Sequence, residues 1–231
     1  MSGMVCRFLC ISYVTSEVKM ASAKPHPPNE RMYVYVDGFN LYWGMHDLAK
    51  RRLLWLDLVK LAESLRPRSN VAMVKYFSAP VLDEPAAQSR QAHYVAALES
   101  LYPHRLTVHM GRYQKSEVRC NHCGGKWNRY EEKETDVSIA VSLVADAAQR
   151  RFQSALIISA DSDLSPAVRA VKDILPSAFV TAAFPPKRHS AELKKLMPAA
   201  FHIGNDKLSR AQLSECFTAS GKTYMRPDYW R

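Results

Sequence analysis

What this sequence lacks narrows its class first. No stretch of its 231 residues is long and apolar enough to span a bilayer, so no membrane association is expected. Met1 to Val14 holds a short apolar run with a single arginine, whereas a secretion signal needs a firmer basic region, a longer apolar centre and a small-residue cleavage site. Cysteine is sparse. Cys6, Cys10, Cys120, Cys123 and Cys216 are odd in number, and a chain this rich in core residues needs no disulfide framework, which points to a reducing cytoplasm. Neither glycine-rich phosphate-binding fingerprint occurs, so P-loop and dinucleotide sites are disfavoured. No internal repeat is visible.

What is present suits one α/β domain with a proper core and a tail or insertion: 47% of residues are hydrophobic. Lys and Arg number 32 against 22 Asp and Glu, a formal charge of +10, and a field of that sign draws polyanions. Residues 1–30 end in Lys24-Pro25-His26-Pro27-Pro28 and read as a disordered or loosely ordered extension, or as a stretch upstream of a true start at Met20 or Met32.

From there strands alternate with helices. Met32–Val36, Val71–Phe77, Leu106–Met110, Ser154–Ser159 and Ala178–Ala183 read as strands, with a last short one at Ala200–Ile203. Helices are expected from near Asn40, over Trp55–Leu65, from Pro85 to Ser100, over Glu134–Arg150 and Leu164–Leu175, over Ala191–Met197 and from Lys207. Residues 112–132 are polar and break the pattern as an insertion, and the tail from Thr218 reads as irregular. Such alternation predicts a mostly parallel sheet covered by helices on both faces.

Acid recurs where a parallel sheet would put its site, outside the carboxyl ends of its strands. Asp37 closes the first strand, and Asp161 and Asp163 follow the fourth. Asp136 opens a helix on the same stripe as Ile139, Ala140, Leu143 and Ala147, which aims it toward the sheet rather than into solvent. Carboxylates so gathered repel one another unless a hard divalent cation neutralises them. Each also has a plainer role open to it: Asp37 as a turn residue, Asp163 as a helix cap, Asp136 as a favourable charge at a helix start.

The segments around these acids are distinctive together. Val34-Tyr35-Val36-Asp37-Gly38-Phe39-Asn40-Leu41-Tyr42, Lys133-Glu134-Thr135-Asp136-Val137 and Ile157-Ile158-Ser159-Ala160-Asp161-Ser162-Asp163-Leu164 resemble, in order and spacing, the three acidic motifs of NYN domains, LabA-like proteins of the PIN-like nuclease superfamily. The resemblance spans roughly residues 31–205, with 206–231 as a C-terminal helix and tail. It implies a PIN-like α/β sheet, a Mg²⁺ or Mn²⁺ cofactor and ribonuclease chemistry, with Asp37, Asp136 and Asp161 as metal-site acids and Asp163 as a fourth catalytic acid. Asn40 would support the metal or touch substrate. Ala160 stands where this family often has glycine.

Cys120-Asn121-His122-Cys123 could offer two thiolates to zinc. His122, His109 or His104 could complete the site, or two chains of a homodimer could each give a pair; free thiols are the simpler reading. Lys126, Trp127 and Arg129 in the insertion interleave cations with aromatics, which suits phosphate contact and base stacking, although Trp127 could equally pack the insertion onto the domain; Lys187 and Arg188 could grip a phosphate backbone or lie in a solvated loop. The leading expectation is a metal-dependent ribonuclease acting on RNA. The alternative is a non-catalytic RNA-binding or regulatory module with the same fold. A haloacid-dehalogenase-type phosphatase would need Asp-x-Asp after the first strand, and Phe39 stands there.

Overall fold

Apolar alternation on the first strand, β1 (Arg31–Asp37), divides the molecule into two cores. Met32, Val34 and Val36 face one side of the sheet, and Tyr33 and Tyr35 face the other, as the two-residue period of a strand demands. The computed structural model describes residues 29–231 except Asp83. β1 pairs with β2 (Asn70–Ser78) and β6 (Ser154–Ile158), and the sheet extends to β3 (Leu106–Met110) on one side and to β7 (Phe179–Phe184) and β8 (Phe201–His202) on the other. The order is β3-β2-β1-β6-β7-β8, and every pairing is parallel. Helices α1 (Gly38–Ala49), α2 (Leu58–Leu65), α3 (Pro85–Leu101) and α7 (Asn205–Arg210) cover the first face through Leu41, Leu61, Leu98 and Leu208. On the second lie α4 (Thr135–Ala148), α5 (Ser165–Ile174) and α6 (Ala191–Leu196), through Leu143, Val168 and Leu193. A buried side chain of this size contributes about 1.5–3 kcal/mol.

The expected α/β architecture is therefore present, with local corrections. The helix expected from Trp55 begins at Leu58, because Asp57 caps it by accepting from the Lys60 backbone N–H at 2.9 Å while Leu56 bridges Gln212. Residues 112–132 are not shapeless: β4 (Arg112–Arg119) and β5 (Lys126–Lys133) form an antiparallel hairpin. Its strands carry few apolar residues, so the two-residue period left no hydrophobic trace in the sequence. The tail is a second hairpin, β9 (Cys216–Ala219) with β10 (Lys222–Met225). Tyr224 of that hairpin, and Trp230 beyond it, pack into the first core, Trp230 at 6.2 Å from Trp55 between ring centroids. No helix among the described residues is long and apolar enough to cross a membrane.

Topology fixes where a site can lie. From β1 the chain runs to β2 and β3; from β6 it runs the opposite way to β7 and β8. Helices leaving β1 and β6 on opposite faces open a crevice at the carboxyl ends of that strand pair, the usual ligand position in such sheets.

Candidate metal centre

Val36 pairs with Ile158, so the next residues, Asp37 and Ser159, face each other just past the sheet. Asp37 also begins α1: its extended backbone and its Oδ1, which accepts from the Asn40 N–H at 2.9 Å, make it the N-cap. The Ser159 hydroxyl donates to Asp37 Oδ2 at 2.8 Å and its oxygen accepts from the Asp161 N–H at 3.0 Å. Asn40 returns the link, its Oδ1 accepting from the Ala160 N–H at 3.1 Å. Asp161 in turn caps the short 3-10 turn Ser162–Leu164, its Oδ1 accepting from the Asp163 N–H at 2.9 Å. The start of α1 and the loop after β6 are thus tied by two side-chain hydrogen bonds, Ser159 to Asp37 and Ala160 to Asn40, each segment being braced by one of its own.

Asp136 approaches from the first turn of α4. One carboxylate oxygen from each of Asp37, Asp136 and Asp161 lies within 4.8 Å of the others. Asp37 is buried at 4% exposure, Asp161 is half-buried and Asp136 is exposed. The last point corrects the helical-stripe expectation. Ile139, Leu143 and Ala147 are buried as expected, but Asp136 sits in the turn that projects past the sheet edge, so solvent reaches it. Burial pushes the Asp37 carboxyl above its ordinary value; the Asn40 N–H and Ser159 hydroxyl pull it back, and the charge of Asp161 raises it again.

These acids share a cleft of about 250 Å³ with Phe39, Asn40, Trp43 and Arg188. Arg188 is held by Asp47, Nη2 to Oδ2 at 2.7 Å, while its buried Nε has no hydrogen-bond partner. Gly44 lets α1 lie against the loop that carries Arg188: a Cβ there would meet Pro185 Cβ at 2.7 Å and the Pro186 carbonyl at 2.9 Å. A larger cleft of about 640 Å³, bounded by Arg52, Gln212, Glu215 and Arg226, lies apart from the acid trio and is crossed by the Arg226–Glu215 ion pair at 2.8 Å.

The other expected residues fall in varied places. Asp163 is exposed and outside the trio. Lys187 turns back to donate to the Asp47 carbonyl at 2.6 Å, so of that pair Arg188 lines the cleft. Lys126 and Trp127 lie toward the hairpin tip, Lys126 in an ion pair with Glu117 at 2.7 Å and Trp127 exposed; Arg129 stands opposite Ser116. The hairpin is rooted beside the site, since Arg112 pairs with Glu134 just before α4.

At the tip, the Gly124 N–H donates to the Cys120 carbonyl at 2.9 Å, with Gly124 in the left-handed region (φ 73°) that favours glycine. Backbone N–H groups of Cys123 and His122 donate to the Cys120 sulfur and lower its pKa. Two thiols supply half of a closed zinc site. Among the described residues, neither His104 nor His109 joins them: no further His, Cys, Asp or Glu completes a cluster there, and His109 instead stacks on Phe77 at 4.7 Å.

Two functional positions escaped the sequence reading. Ser159 carries no periodicity or charge that would reveal it. Trp43 could have been found, as an aromatic on the outer face of a helix whose inner face is Leu41, Gly44 and Met45.

The chain is 25% identical over 239 residues to 6-hydroxy-3-succinoylpyridine 3-monooxygenase HspA of Pseudomonas putida (strain DSM 28022 / S16), covering 87% of this chain and 75% of that one. A crystal structure of a protein of unknown function, VPA0982 from Vibrio parahaemolyticus RIMD 2210633, superposes with a TM-score of 0.51 at 19% identity, covering 79% of this chain and 98% of that one, a likeness of fold. The NYN domain model matches residues 31–199, which contain all three acids of the trio, and the chain belongs to the NYN domain family.

Proposed function

We propose that this chain is a metal-dependent ribonuclease whose Asp37, Asp136 and Asp161 hold Mg²⁺ or Mn²⁺. The observation that carries the reading is the convergence of three carboxylates within 4.8 Å at the crevice between β1 and β6. The residues fit a hard cation, which prefers oxygen donors. Each oxygen of Asp37 accepts one hydrogen bond, and a carboxylate oxygen has a second lone pair to offer. Bound there, the cation would supply charge neutralisation and polarisation of a phosphate.

The chain's own groups do the remainder. Asn40, its carbonyl fixed by Ala160, turns its amide N–H₂ to a phosphate oxygen in the cleft. The guanidinium of Arg188, which lines the cleft, supplies positive charge to the same anion. Asp163, exposed beside the trio, is the candidate to take the proton of the attacking water as its oxygen joins phosphorus and the ester P–O bond breaks. Without a cation the acid trio would repel the backbone that the +10 charge attracts, so a pure binder gains nothing from it.

Purified protein incubated with end-labelled single-stranded RNA tests this. Cleavage is expected with Mn²⁺ and not with EDTA, and is expected to fall below detection in Asp37→Asn, Asp136→Asn and Asp161→Asn. If all three variants cut as fast as an active wild type, the proposal is wrong. RNA binding without cleavage by the wild type would favour the non-catalytic alternative. The name of the Pseudomonas relative motivates a second reading, oxidation of an aromatic heterocycle in the same cleft beside Trp43. Oxygen uptake on adding 6-hydroxy-3-succinoylpyridine and a reductant, in protein that leaves RNA intact, would select it.

A further inference from the structure

The outer face of α1 carries aromatics that the hydrophobic core does not use. Tyr42 and Trp43 are 39% and 48% exposed. Their rings meet edge to face at 5.2 Å, His46 stacks on Tyr42 at 5.9 Å, and Trp43 meets His46 at 5.7 Å. Trp43 lines the acid cleft, so this group begins where the proposed reaction centre ends.

It also continues outward. Tyr229, 49% exposed, has the guanidinium groups of Arg51 and Arg90 at 3.9 and 4.1 Å from its ring centroid. Two groups that near one centroid occupy its opposite faces. Arg51 stands two residues past the end of α1, so the helix that carries Tyr42 and Trp43 leads to this stack. Arg51 and Arg90 are arginines of a chain with ten more cationic than anionic side chains.

Resting on the nuclease reading, we propose that Trp43, Tyr42, His46 and the Arg51–Tyr229–Arg90 stack form a track for single-stranded nucleic acid leading out of the metal cleft. Bases stack on Trp43 and Tyr42, and the two arginines held on Tyr229 meet the backbone. Every base has a π-face, so such a surface accepts strands of any sequence, whereas paired bases in a duplex have their faces covered. Trp43 would seat the nucleotide beside the scissile phosphate, which makes it a positioning residue. This places the strand on α1 and the C-terminal segment, not on the aromatics and cations of the hairpin tip.

The test is binding of a fluorescein-labelled 12-nucleotide single-stranded RNA, and of the same strand annealed to its complement, by full-length protein. An Asp161→Asn background keeps the strand intact. Trp43→Ala is expected to weaken single-strand binding by roughly 5- to 150-fold, the range of one lost base stack, with little change for duplex. Tyr42→Ala and Arg51→Gln should weaken it in the same direction, with melting temperatures unchanged. Binding equal to the Asp161→Asn parent in Trp43→Ala and Tyr42→Ala overturns the track, and so does equal loss for single strand and duplex. The two readings fail separately: an absence of cleavage by the wild type in Mn²⁺ removes the nuclease and leaves the stacking result standing.

Discussion

Replacing Asp37 with Asn should stabilise the metal-free protein while abolishing its response to metal. Asp37 is buried, and one of its oxygens lies within 4.8 Å of an oxygen on each of Asp136 and Asp161. At such separations each like-charge pair costs about 1 kcal/mol in water and about 4 kcal/mol at an effective dielectric constant near 20. Asp136 is exposed and Asp161 half-buried, so the low end applies, and neutralising Asp37 should recover roughly 1–3 kcal/mol. The substitution keeps the helix cap, because Asn and Asp serve equally there and the amide oxygen can still accept from the Asn40 N–H. For a domain of this size that is a rise of roughly 2–10 °C in Tm. The pH sign follows from the raised pKa of Asp37. Its carboxyl favours the folded state below about 3.8, where it is protonated in both states, and that advantage is lost as pH rises through the folded-state value. The Asn variant should therefore gain over wild type at neutral pH and lose the gain near pH 4 and below. Mn²⁺ at a hundredfold excess over its Kd should raise wild type by about 2.7 kcal/mol and leave the variant unmoved, which closes most of the gap or reverses it. Differential scanning fluorimetry in EDTA and in Mn²⁺ reads all of this. A variant that melts below wild type in EDTA at neutral pH, or that gains as much from Mn²⁺, refutes the reasoning.

Other consequences are independent of the metal. Gly44→Ala should cost about 1–3 kcal/mol by pressing a methyl into Pro185 and Pro186, seen as a lower urea midpoint; an unchanged midpoint would mean the loop yields freely. Lys75→Met should cost about 3–5 kcal/mol, because Asp146, 2% exposed and bonded to Lys75 Nζ at 2.5 Å, would keep a buried charge with the more distant Arg151 at 3.2 Å. In that case Lys75→Met combined with Asp146→Leu should recover part of the loss, and a double variant no better than the single would count against it. Iodoacetamide at pH 7 should label Cys120 ahead of Cys216, since backbone N–H groups favour the Cys120 thiolate; peptide mapping that finds Cys216 labelled first would contradict the tip geometry.

The parallel sheet was legible because its strands are buried on both faces and therefore read as short apolar runs, as Ala155-Leu156-Ile157-Ile158 does. The meeting of Asp37 and Asp161 was legible for the same reason: both close such runs, and parallel strands put their ends on one edge. The two hairpins were not legible. β4 and β5 are stabilised by their ladder and by ion pairs such as Lys126–Glu117, neither of which leaves a periodic hydrophobic mark. In β9 and β10 the ring contacts are with Trp55, beside Phe217, and His93, beside Tyr224, both far away in sequence, and distance in sequence is invisible to a local pattern. Periodicity also gave the direction of Asp136 but not its depth, because a helical stripe says nothing about where the sheet beneath it stops.

The hydrogen bonds that build the centre are the same ones that start its helices. Asp37 caps α1 and Asp161 caps the turn after β6, yet each is also a member of the trio. Capping holds one carboxylate oxygen in a fixed direction through a backbone N–H, so the ligand geometry costs no additional ordering when a cation arrives. The same economy explains why Ser159 is fully buried: its hydroxyl joins the Asp37 carboxylate to the Asp161 backbone, and an alanine there would leave both groups short of a partner. Asp136 stands outside the strand ends that these hydrogen bonds tie together. It is set on a separate helix, exposed, at the root of the hairpin through Glu134 and Arg112. Of the three acids it is therefore the one supplied by a helix and not by a strand end, and the one whose helix begins where the hairpin ends.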